Sequence, residues 1–376
     1  MTAEDDIGDN TAAVPGAAST TLARDLAREI AASGPIGIDR FMARCLIDPD
    51  DGYYTTHAGI GRDGDFLTAP EVSQIFGEII GLWAAVVWQR MGAPGRVALV
   101  ELGPGRGTLL ADALRAIAKV SSFRASLEVH LVEINPAFRD LQAERLRDAG
   151  HRVRWHETLP LRLDCPAIVI ANEFLDTIPG RQWVLDDAGA WAERRVGLDA
   201  EGSLVFVECP APPPLLPFLP GAPAHRPAVF TAADMAPLGR DLAALTGGPP
   251  LAALFIDYGH TRSDWGDTLQ AVRDHRAEHP LACPGQADLS LAVDFAAAAA
   301  AFAASGFATD GPVSQTEFLG TLGLAERASR LMAANSARAN EIETAALRLI
   351  APAGMGGRFK CLGVRSPALP HLPGLA

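Results

Sequence analysis

The main indication of the fold comes from the segment Val97-Ala-Leu-Val-Glu-Leu-Gly-Pro-Gly-Arg-Gly-Thr108. An apolar run predicts a strand, and three closely spaced glycines follow it: Gly103, Gly105 and Gly107. Helical periodicity begins directly at Thr108. Because glycine has no Cβ, the backbone can turn sharply there and lie close to a ligand. The N-terminus of the following helix favours a negative group. The segment therefore predicts a strand, a ligand-binding glycine loop and a helix.

Outward from this segment, apolar strands alternate with amphipathic helices. The predicted strands lie at 96–102, 127–132, 153–155, 167–171 and 251–256, and the helices between them lie at 108–120 and 136–149. This order predicts an α/β fold with a mainly parallel sheet and helices on both faces. Residues 180–250 contain a strand meander and a proline cluster, and they are predicted to be an insertion or lid.

Composition excludes several functional classes. The chain has 376 residues, with 32 Lys and Arg against 45 Asp and Glu, so its formal net charge is −13. Phosphate contacts need a basic surface, so a nucleic-acid partner is not expected. The chain has no run of about 18 consecutive apolar residues, so no membrane span is predicted. The five cysteines are scattered without a C-x-x-C pair, which favours a reducing compartment over a disulfide scaffold or a structural zinc site.

The glycine spacing identifies a cofactor. A dinucleotide fingerprint, G-x-G-x-x-G, would need glycine at position 108, so an NAD-dependent oxidoreductase is disfavoured. The spacing found here is G-x-G-x-G with an acid two residues earlier, a pattern typical of S-adenosylmethionine sites. That ligand carries a sulfonium and an ammonium, which a carboxylate attracts strongly in a partly dry cleft. The loop residues predicted to bind it are Glu101, Gly103, Pro104, Gly105, Gly107 and Thr108.

Further polar residues follow the later strands. Glu133 ends the second strand, where a ribose diol would be hydrogen-bonded. Glu157 follows the third strand, near the expected adenine, although a solvated loop residue is an equal alternative. The residues predicted to fold over the cofactor are Gly64, Asp65 and Thr68. Thr68 and Glu71 also form a capping-box pattern, and the two interpretations are compatible.

With these residues placed, the chain resembles class I S-adenosylmethionine-dependent methyltransferases. More narrowly, it resembles the MidA-like family of protein arginine methyltransferases, which includes mitochondrial complex I assembly factors and bacterial relatives. The stretches that carry the resemblance are DGYYT at 51–55, GDFLTAPEVSQIFGEIIGLW at 64–83, ELGPGRGTLLADALR at 101–115, NEFLDTIPGRQW at 172–183, IDYGH at 256–260, GDTLQAVRDH at 266–275 and ADLSLAVDF at 287–295. Residues 186–250 match no pattern of the family.

The resemblance implies a Rossmann-like methyltransferase core and N-methylation of an exposed arginine on a protein, either a respiratory complex I subunit or another substrate. The N-terminal residues lack the arginines of a mitochondrial presequence, so a bacterial, cytoplasmic member is expected. The predicted division is a disordered acidic tail at 1–19, a helical region with a cofactor-covering loop at 20–94, a core at 95–260 that includes the insertion 180–250, and a mostly helical region with a final strand at 261–376. Homodimer formation stays open.

The acceptor side of the predicted site follows the fourth strand. An arginine guanidinium has a pKa above 12, so a carboxylate must orient it and take up a proton as the new bond forms. Glu173 is predicted to grip the guanidinium, with Asn172 near the methyl donor, whereas Asp176 is expected to cap a turn. Asp257 and His260 end another core strand and are predicted catalytic residues in the same cleft. A loop role for His260 is an equal alternative.

Two other hypotheses stay in view. His275-Arg-Ala-Glu-His279 has the spacing of an inverted zinc-protease motif, but Pro280 disfavours the helix that zinc ligation there requires, so no metal is predicted. A catalytically silent assembly chaperone that binds S-adenosylmethionine is the alternative function. An inactive relative tends to lose its acidic positions, whereas Glu101, Glu133 and Glu173 are all present.

Overall fold

The computed structural model describes residues 20–56, 68–159, 162–214 and 220–375. Its helices are α1 (Thr21–Ser33), α2 (Ile38–Ile47), α3 (Tyr53–Thr56), α4 (Ala69–Val72), α5 (Gln74–Arg90), α6 (Thr108–Ile117), α7 (Ser121–Ser126), α8 (Pro136–Arg145), α9 (Ala236–Thr246), α10 (Phe295–Ala304), α11 (Gln315–Thr321), α12 (Leu324–Ala334), α13 (Ala339–Ile350) and α14 (Met355–Arg358). Its strands are β1 (Ile36–Gly37), β2 (Val97–Leu102), β3 (Leu127–Val132), β4 (Val153–His156), β5 (Ala167–Asn172), β6 (Gly180–Leu185), β7 (Trp191–Leu198), β8 (Leu204–Pro210), β9 (Ala228–Ala233), β10 (Leu251–His260), β11 (Leu269–Arg273), β12 (Arg276–Glu278), β13 (Asp288–Leu291), β14 (Val293–Asp294), β15 (Ala308–Ser314) and β16 (Phe359–Arg365).

The chain forms two compact units, and the larger contains the central sheet. That unit comprises Ala58–Asp176, Met235–Arg262 and Val293–Ala376. Its described strands form an eight-stranded sheet in the order β15-β16-β10-β5-β2-β3-β4, with β14 paired to β10. Neighbours from β10 to β4 are parallel, whereas β16 runs antiparallel to β10 and β15. The mainly parallel α/β sheet predicted from the sequence is confirmed.

The direction of strand progression reverses at β2, which lies between β3 and β5. Every residue of β2 and β5 is buried, as expected for central parallel strands with both faces covered. Glu101 and Asn172 interrupt these apolar runs, each near the carboxyl end of its strand. Ligands of open α/β sheets bind outside the carboxyl ends of the strands at such a reversal. The fold therefore places the glycine loop where a ligand is expected.

The smaller unit comprises Met1–His57, Thr177–Asp234 and Ser263–Ala292. Its α1 is a short amphipathic helix with Leu22, Leu26 and Ile30 buried; Thr20 Oγ1 caps it by accepting from Ala23 N, and it ends at Gly34. The described strands form an antiparallel sheet, β1-β7-β6-β9 with β8 on β7, and a separate β12-β11-β13 sheet. The meander predicted within 180–250 corresponds to β6, β7 and β8.

The structure departs from the predicted elements in two places. The capping box expected at Thr68 does not form: the Thr68 side chain makes no capping bond to the described residues, and α4 ends after one turn. Ser73 is extended and its hydroxyl accepts from Ile75 N at 3.3 Å, so a second helix, α5, begins there. Strands β11 to β13 occupy residues expected to be mostly helical. The predicted domain boundaries stay a prediction. The smaller unit groups 177–234 and 263–292 with the N-terminal segment.

Candidate active site

The glycine loop is held in left-handed backbone conformations. Gly103, Gly105 and Gly107 have φ values of 59°, 51° and 75°, which only glycine adopts without strain. A Cβ on Gly103 would lie 3.2 Å from the Phe174 ring, and one on Gly107 would lie 3.3 Å from Gln142 Cγ. A Cβ on Gly105 would meet no described atom within 4 Å. Gly105 therefore borders open space, whereas its neighbours pack against side chains.

Two buried acceptors lie near the ends of the neighbouring strands β2 and β5. Glu101 is 3% exposed, and its Oε2 accepts no hydrogen bond from the described residues. Burial raises the pKa of Glu101 to about 8, and the nearby charge of Glu133 adds to the shift. Asn172 is also buried, with Oδ1 unpaired among the described residues. Since buried polar atoms are normally paired, these oxygens fit a cationic ligand that carries N–H donors.

Glu133 is buried, and both of its carboxylate oxygens accept hydrogen bonds. Its Oε1 accepts from Asn135 N at 2.8 Å, and its Oε2 accepts from Gln142 Nε2 at 3.1 Å. Burial raises the pKa of Glu133, although these hydrogen bonds and Arg139 oppose the shift. A carboxylate has about four lone-pair sites, so the group can still accept from a diol.

The start of α6 is tied to α4. Thr108 Oγ1 donates to Glu71 Oε1 and accepts from Arg145 Nη1. Arg145 Nη1 also lies 4.0 Å from the same carboxylate oxygen. This engagement of the Glu71 carboxylate explains why it does not close a capping box with Thr68. Pro104, the remaining predicted loop residue, is buried, and its carbonyl accepts from Gly107 N at 2.8 Å.

Glu173, directly after β5, has a strained backbone. Its φ is 53°, in the left-handed region that residues with a Cβ adopt at a cost. Its amide donates to Ile256 O at 2.8 Å, and its Oε1 accepts from Asn172 Nδ2 at 3.0 Å. Burial raises the pKa of Glu173 to about 7, and the charge of Asp176 adds to the rise. A carboxyl that titrates near neutral pH is suited to proton transfer.

Asp257 is fully buried and binds the turn that contains Glu173. Its Oδ2 accepts from the amides of Phe174, Leu175 and Asp176 at 3.0, 2.8 and 3.1 Å. Its Oδ1 accepts from Tyr258 N at 2.9 Å. These four backbone bonds occupy both carboxylate oxygens.

A family model described as "putative S-adenosyl-L-methionine-dependent methyltransferase" matches residues 79–313. The chain belongs to this methyltransferase family. It is 32% identical to the protein arginine methyltransferase NDUFAF7, mitochondrial, of Danio rerio, over 93% of this chain and 87% of that protein. It is 33% identical to the human protein of the same name, over 94% of this chain and 84% of the relative.

A solved structure agrees with the family match. The crystal structure of a Burkholderia thailandensis protein bound to S-adenosyl-homocysteine superimposes with a TM-score of 0.78 at 28% identity, covering 94% of each chain. The resemblance stated from sequence motifs is confirmed, as are the fold class and the predicted cofactor, S-adenosylmethionine.

Other predicted site residues of this methyltransferase are less enclosed. His260 ends β10 with its side chain 32% exposed, and its Nε2 lies 3.9 Å from Asp294 Oδ2. The Glu157 side chain is 76% exposed and lies 3.5 Å from Arg139. Gly64 and Asp65 lie outside the described residues. The roles predicted for these four residues, and for the other site residues, stay predictions.

The zinc-like motif lies on a hairpin. Asp274 and His275 form the turn between β11 and β12 with positive φ values, so the motif spacing is not helical. Among the residues described, no group of three or more His, Cys, Asp or Glu side chains is placed to hold a metal. None of the described helices is both long and apolar enough to cross a membrane.

Sequence reasoning missed Gln142, which contacts both the glycine loop and Glu133. The signal was available, because Phe138, Gln142 and Leu146 recur at four-residue spacing. A polar residue in the middle of such an apolar face is a candidate for a buried hydrogen-bonding role.

Proposed function

We propose that this methyltransferase transfers a methyl group from S-adenosylmethionine to an arginine nitrogen of a protein substrate. The relatives named protein arginine methyltransferase support the substrate class. The observation that carries the proposal is the Glu173 carboxyl, which sits in a strained turn beside Asn172, directly after a core strand. Phe174, the next residue, packs against the glycine loop at Gly103.

The chain's own residues fit the cofactor. The unpaired oxygens of Glu101 and Asn172 suit the ammonium group, and the Glu133 carboxylate suits the ribose hydroxyls. The open space beside Gly105 leaves room for a ligand against the backbone. When bound, S-adenosylmethionine supplies a methyl group: the new N–C bond forms as the S–C bond breaks, and the acceptor nitrogen gives up one proton.

Glu173 carries the acceptor chemistry in this proposal. In its ionised form the carboxylate holds the guanidinium through charge-assisted hydrogen bonds, which are stronger than neutral ones. Because its pKa lies near 7, the same group can take up the proton that the nitrogen loses. In this proposal Asp257 acts by positioning Glu173, since one of its oxygens accepts from three amides of the turn. His260 stays a predicted catalytic residue.

The test is methyl transfer from labelled S-adenosylmethionine into proteins of a lysate from the same organism. Label should enter a protein band and appear as methylarginine after hydrolysis. Glu173→Gln should lose transfer while binding S-adenosylhomocysteine as the wild type does. Glu144→Gln, which neutralises an exposed carboxylate on α8, is the matched control and should keep activity. Label on another residue type would overturn the arginine assignment, and cofactor binding without any transfer would favour the assembly chaperone.

The remaining partner and location hypotheses rest on the sequence and on the state of the cysteines. The relatives compared above carry "mitochondrial" in their names. For this chain we propose a cytoplasmic location from its scattered cysteines, four of which are buried free thiols: Cys45, Cys165, Cys283 and Cys361. Cell fractionation tests the location, and light scattering tests whether the chain forms a homodimer.

A further inference from the structure

Gln142 connects the glycine loop to the carboxylate after β3. Its side chain is completely buried on α8. Its Nε2 donates to Gly105 O at 2.7 Å and to Glu133 Oε2 at 3.1 Å. Its Oε1 accepts from Trp155 Nε1 at 2.9 Å. One amide group therefore contacts the turn after β2, the acid after β3 and the indole on β4.

The orientation of this amide is fixed by its partners. An indole N–H can only donate, so the Trp155 side must receive the amide oxygen. The Gly105 carbonyl and the Glu133 carboxylate can only accept, so they must face the NH2 group, whose two protons serve one acceptor each. Without that NH2 group, Gly105 O and Glu133 Oε2 would both be left without this donor in a buried place, which is costly at low dielectric.

We propose that Gln142 is a positioning residue for the cofactor, holding the Glu133 carboxylate at a set distance from the Gly105 backbone. The ribose and the amino-acid portion of the ligand then meet a preformed frame instead of two independent loops. Gln142 also backs Gly107, whose absent Cβ leaves room for the Gln142 side chain. This inference rests on the proposed placement of S-adenosylmethionine at the glycine loop.

Calorimetric binding of S-adenosylhomocysteine to the purified full chain tests the inference. Gln142→Met keeps the side-chain size and removes the amide, so affinity should fall about tenfold to hundredfold. Gln142→Glu should bind more weakly still, because a carboxylate would face the Gly105 carbonyl and Glu133. The matched control is Gln315→Met, which removes another buried amide, one that donates to Leu349 O at 2.7 Å, and should keep wild-type affinity.

A double-mutant cycle separates positioning from a general structural role. If Gln142 acts through Glu133, combining Gln142→Met with Glu133→Gln should weaken binding by less than the product of the two single effects. If the Gln142 variants do not fold, Trp155→Phe provides the readout. It removes the indole N–H that orients the amide, together with part of the ring, and affinity should fall several-fold.

Each outcome decides the matter. Wild-type affinity in a folded Gln142→Met chain, or in Trp155→Phe where that is the variant measured, would overturn the positioning role. So would strictly multiplicative effects in the cycle. Both results leave the cofactor site intact, since the wild type still binds. Failure of the wild type to bind S-adenosylhomocysteine would overturn the proposed function together with this inference.

Discussion

Asp257, near the end of β10, binds the backbone of Leu175, with 2.8 Å between Oδ2 and the amide nitrogen. The same oxygen accepts from the amides on either side of Leu175, so the turn after β5 is anchored to the neighbouring parallel strand. The turn includes the left-handed backbone of Glu173, a conformation that costs about 1–2 kcal/mol. Hydrogen bonds to a buried carboxyl oxygen offset that cost.

Replacing Asp257 with Asn should impair catalysis more than cofactor binding. The Asn carbonyl can accept from the three turn amides, but its NH2 group would then face the Tyr258 N–H. We expect a loss of about 1–3 kcal/mol of unfolding free energy. We also expect a drop in kcat with little change in the affinity for S-adenosylhomocysteine, because the displaced turn carries Glu173. Urea unfolding, single-turnover methylation and calorimetry measure these effects.

Asp199→Asn is the matched control for the Asp257 variant. Asp199 Oδ1 accepts from the amides of Glu201 and Ser203 in an exposed turn of the smaller unit. This variant should keep full activity. An Asp257→Asn chain as active and as stable as the wild type would show that the anchored turn does not matter.

Gly105→Ala should remove cofactor binding without unfolding the protein. The left-handed backbone makes alanine cost about 1–2 kcal/mol of stability, and the new methyl group would project into the space proposed for the ligand. Gly202→Ala separates the two effects: Gly202 has φ 84° and also no described atom within 4 Å of a built Cβ, but it lies in a turn of the smaller unit. We expect the two variants to have similar melting temperatures and only Gly105→Ala to lose binding. Equal affinities of the two variants for S-adenosylhomocysteine would refute the placement of the ligand beside Gly105.

The sequence predicted the elements that depend on local chemistry. The helix predicted over 108–120 occurs as Thr108–Ile117, because its apolar period is clear and the glycine loop precedes it. Glu101 was predicted from the glycine spacing with an acid two residues earlier, and Glu133 from a general rule: parallel strands end at the same edge of a sheet. That rule needs only the positions of the strands, and apolar runs reveal those.

What the sequence did not predict depends on tertiary contacts. The capping box expected at Thr68 is absent, and Glu71 instead binds Thr108 on another helix. Three of the four backbone bonds of Asp257 come from residues 174–176, more than 80 residues away in the chain. The fourth comes from its neighbour Tyr258. Local patterns carry no information about such partners, so the backbone bonds of Asp257 could not be predicted from the sequence, and its catalytic role stays a prediction.

The affinity for S-adenosylhomocysteine should rise with pH because of Glu101. Burial raises the pKa of Glu101 to about 8 in the free protein, so the group is mostly protonated at pH 6–7. The ligand's ammonium favours the ionised form, so binding must release that proton. We expect the Kd to fall by up to about tenfold per pH unit below pH 8 and to level off above it. Calorimetry in buffers of different ionisation enthalpy counts the released protons.

Glu101→Gln is the control for that profile, and it carries an expectation of its own. The variant should bind S-adenosylhomocysteine weakly, and its Kd should change little from pH 6 to 8. A carboxyl whose folded pKa is raised contributes stability below its unfolded pKa and loses it as the pH rises through the folded value. At pH 9 the free variant should therefore be more stable than the wild type, by up to about 5 kcal/mol for a pKa raised from 4.5 to about 8. A wild-type profile that is flat from pH 6 to 8 would contradict the assignment.

The rate of methyl transfer should depend on the ionisation of Glu173. Its pKa of about 7 means that kcat at saturating cofactor should increase from pH 6 to 8, since only the carboxylate can hold the guanidinium and accept a proton. Glu173→Asp keeps the charge, and its shorter side chain should lower kcat and shift the midpoint. Glu173→Gln should be inactive at every pH, although it keeps the turn. Single-turnover rates across this range distinguish the cases: a wild-type profile without a midpoint near 7 would mean that another group handles the proton.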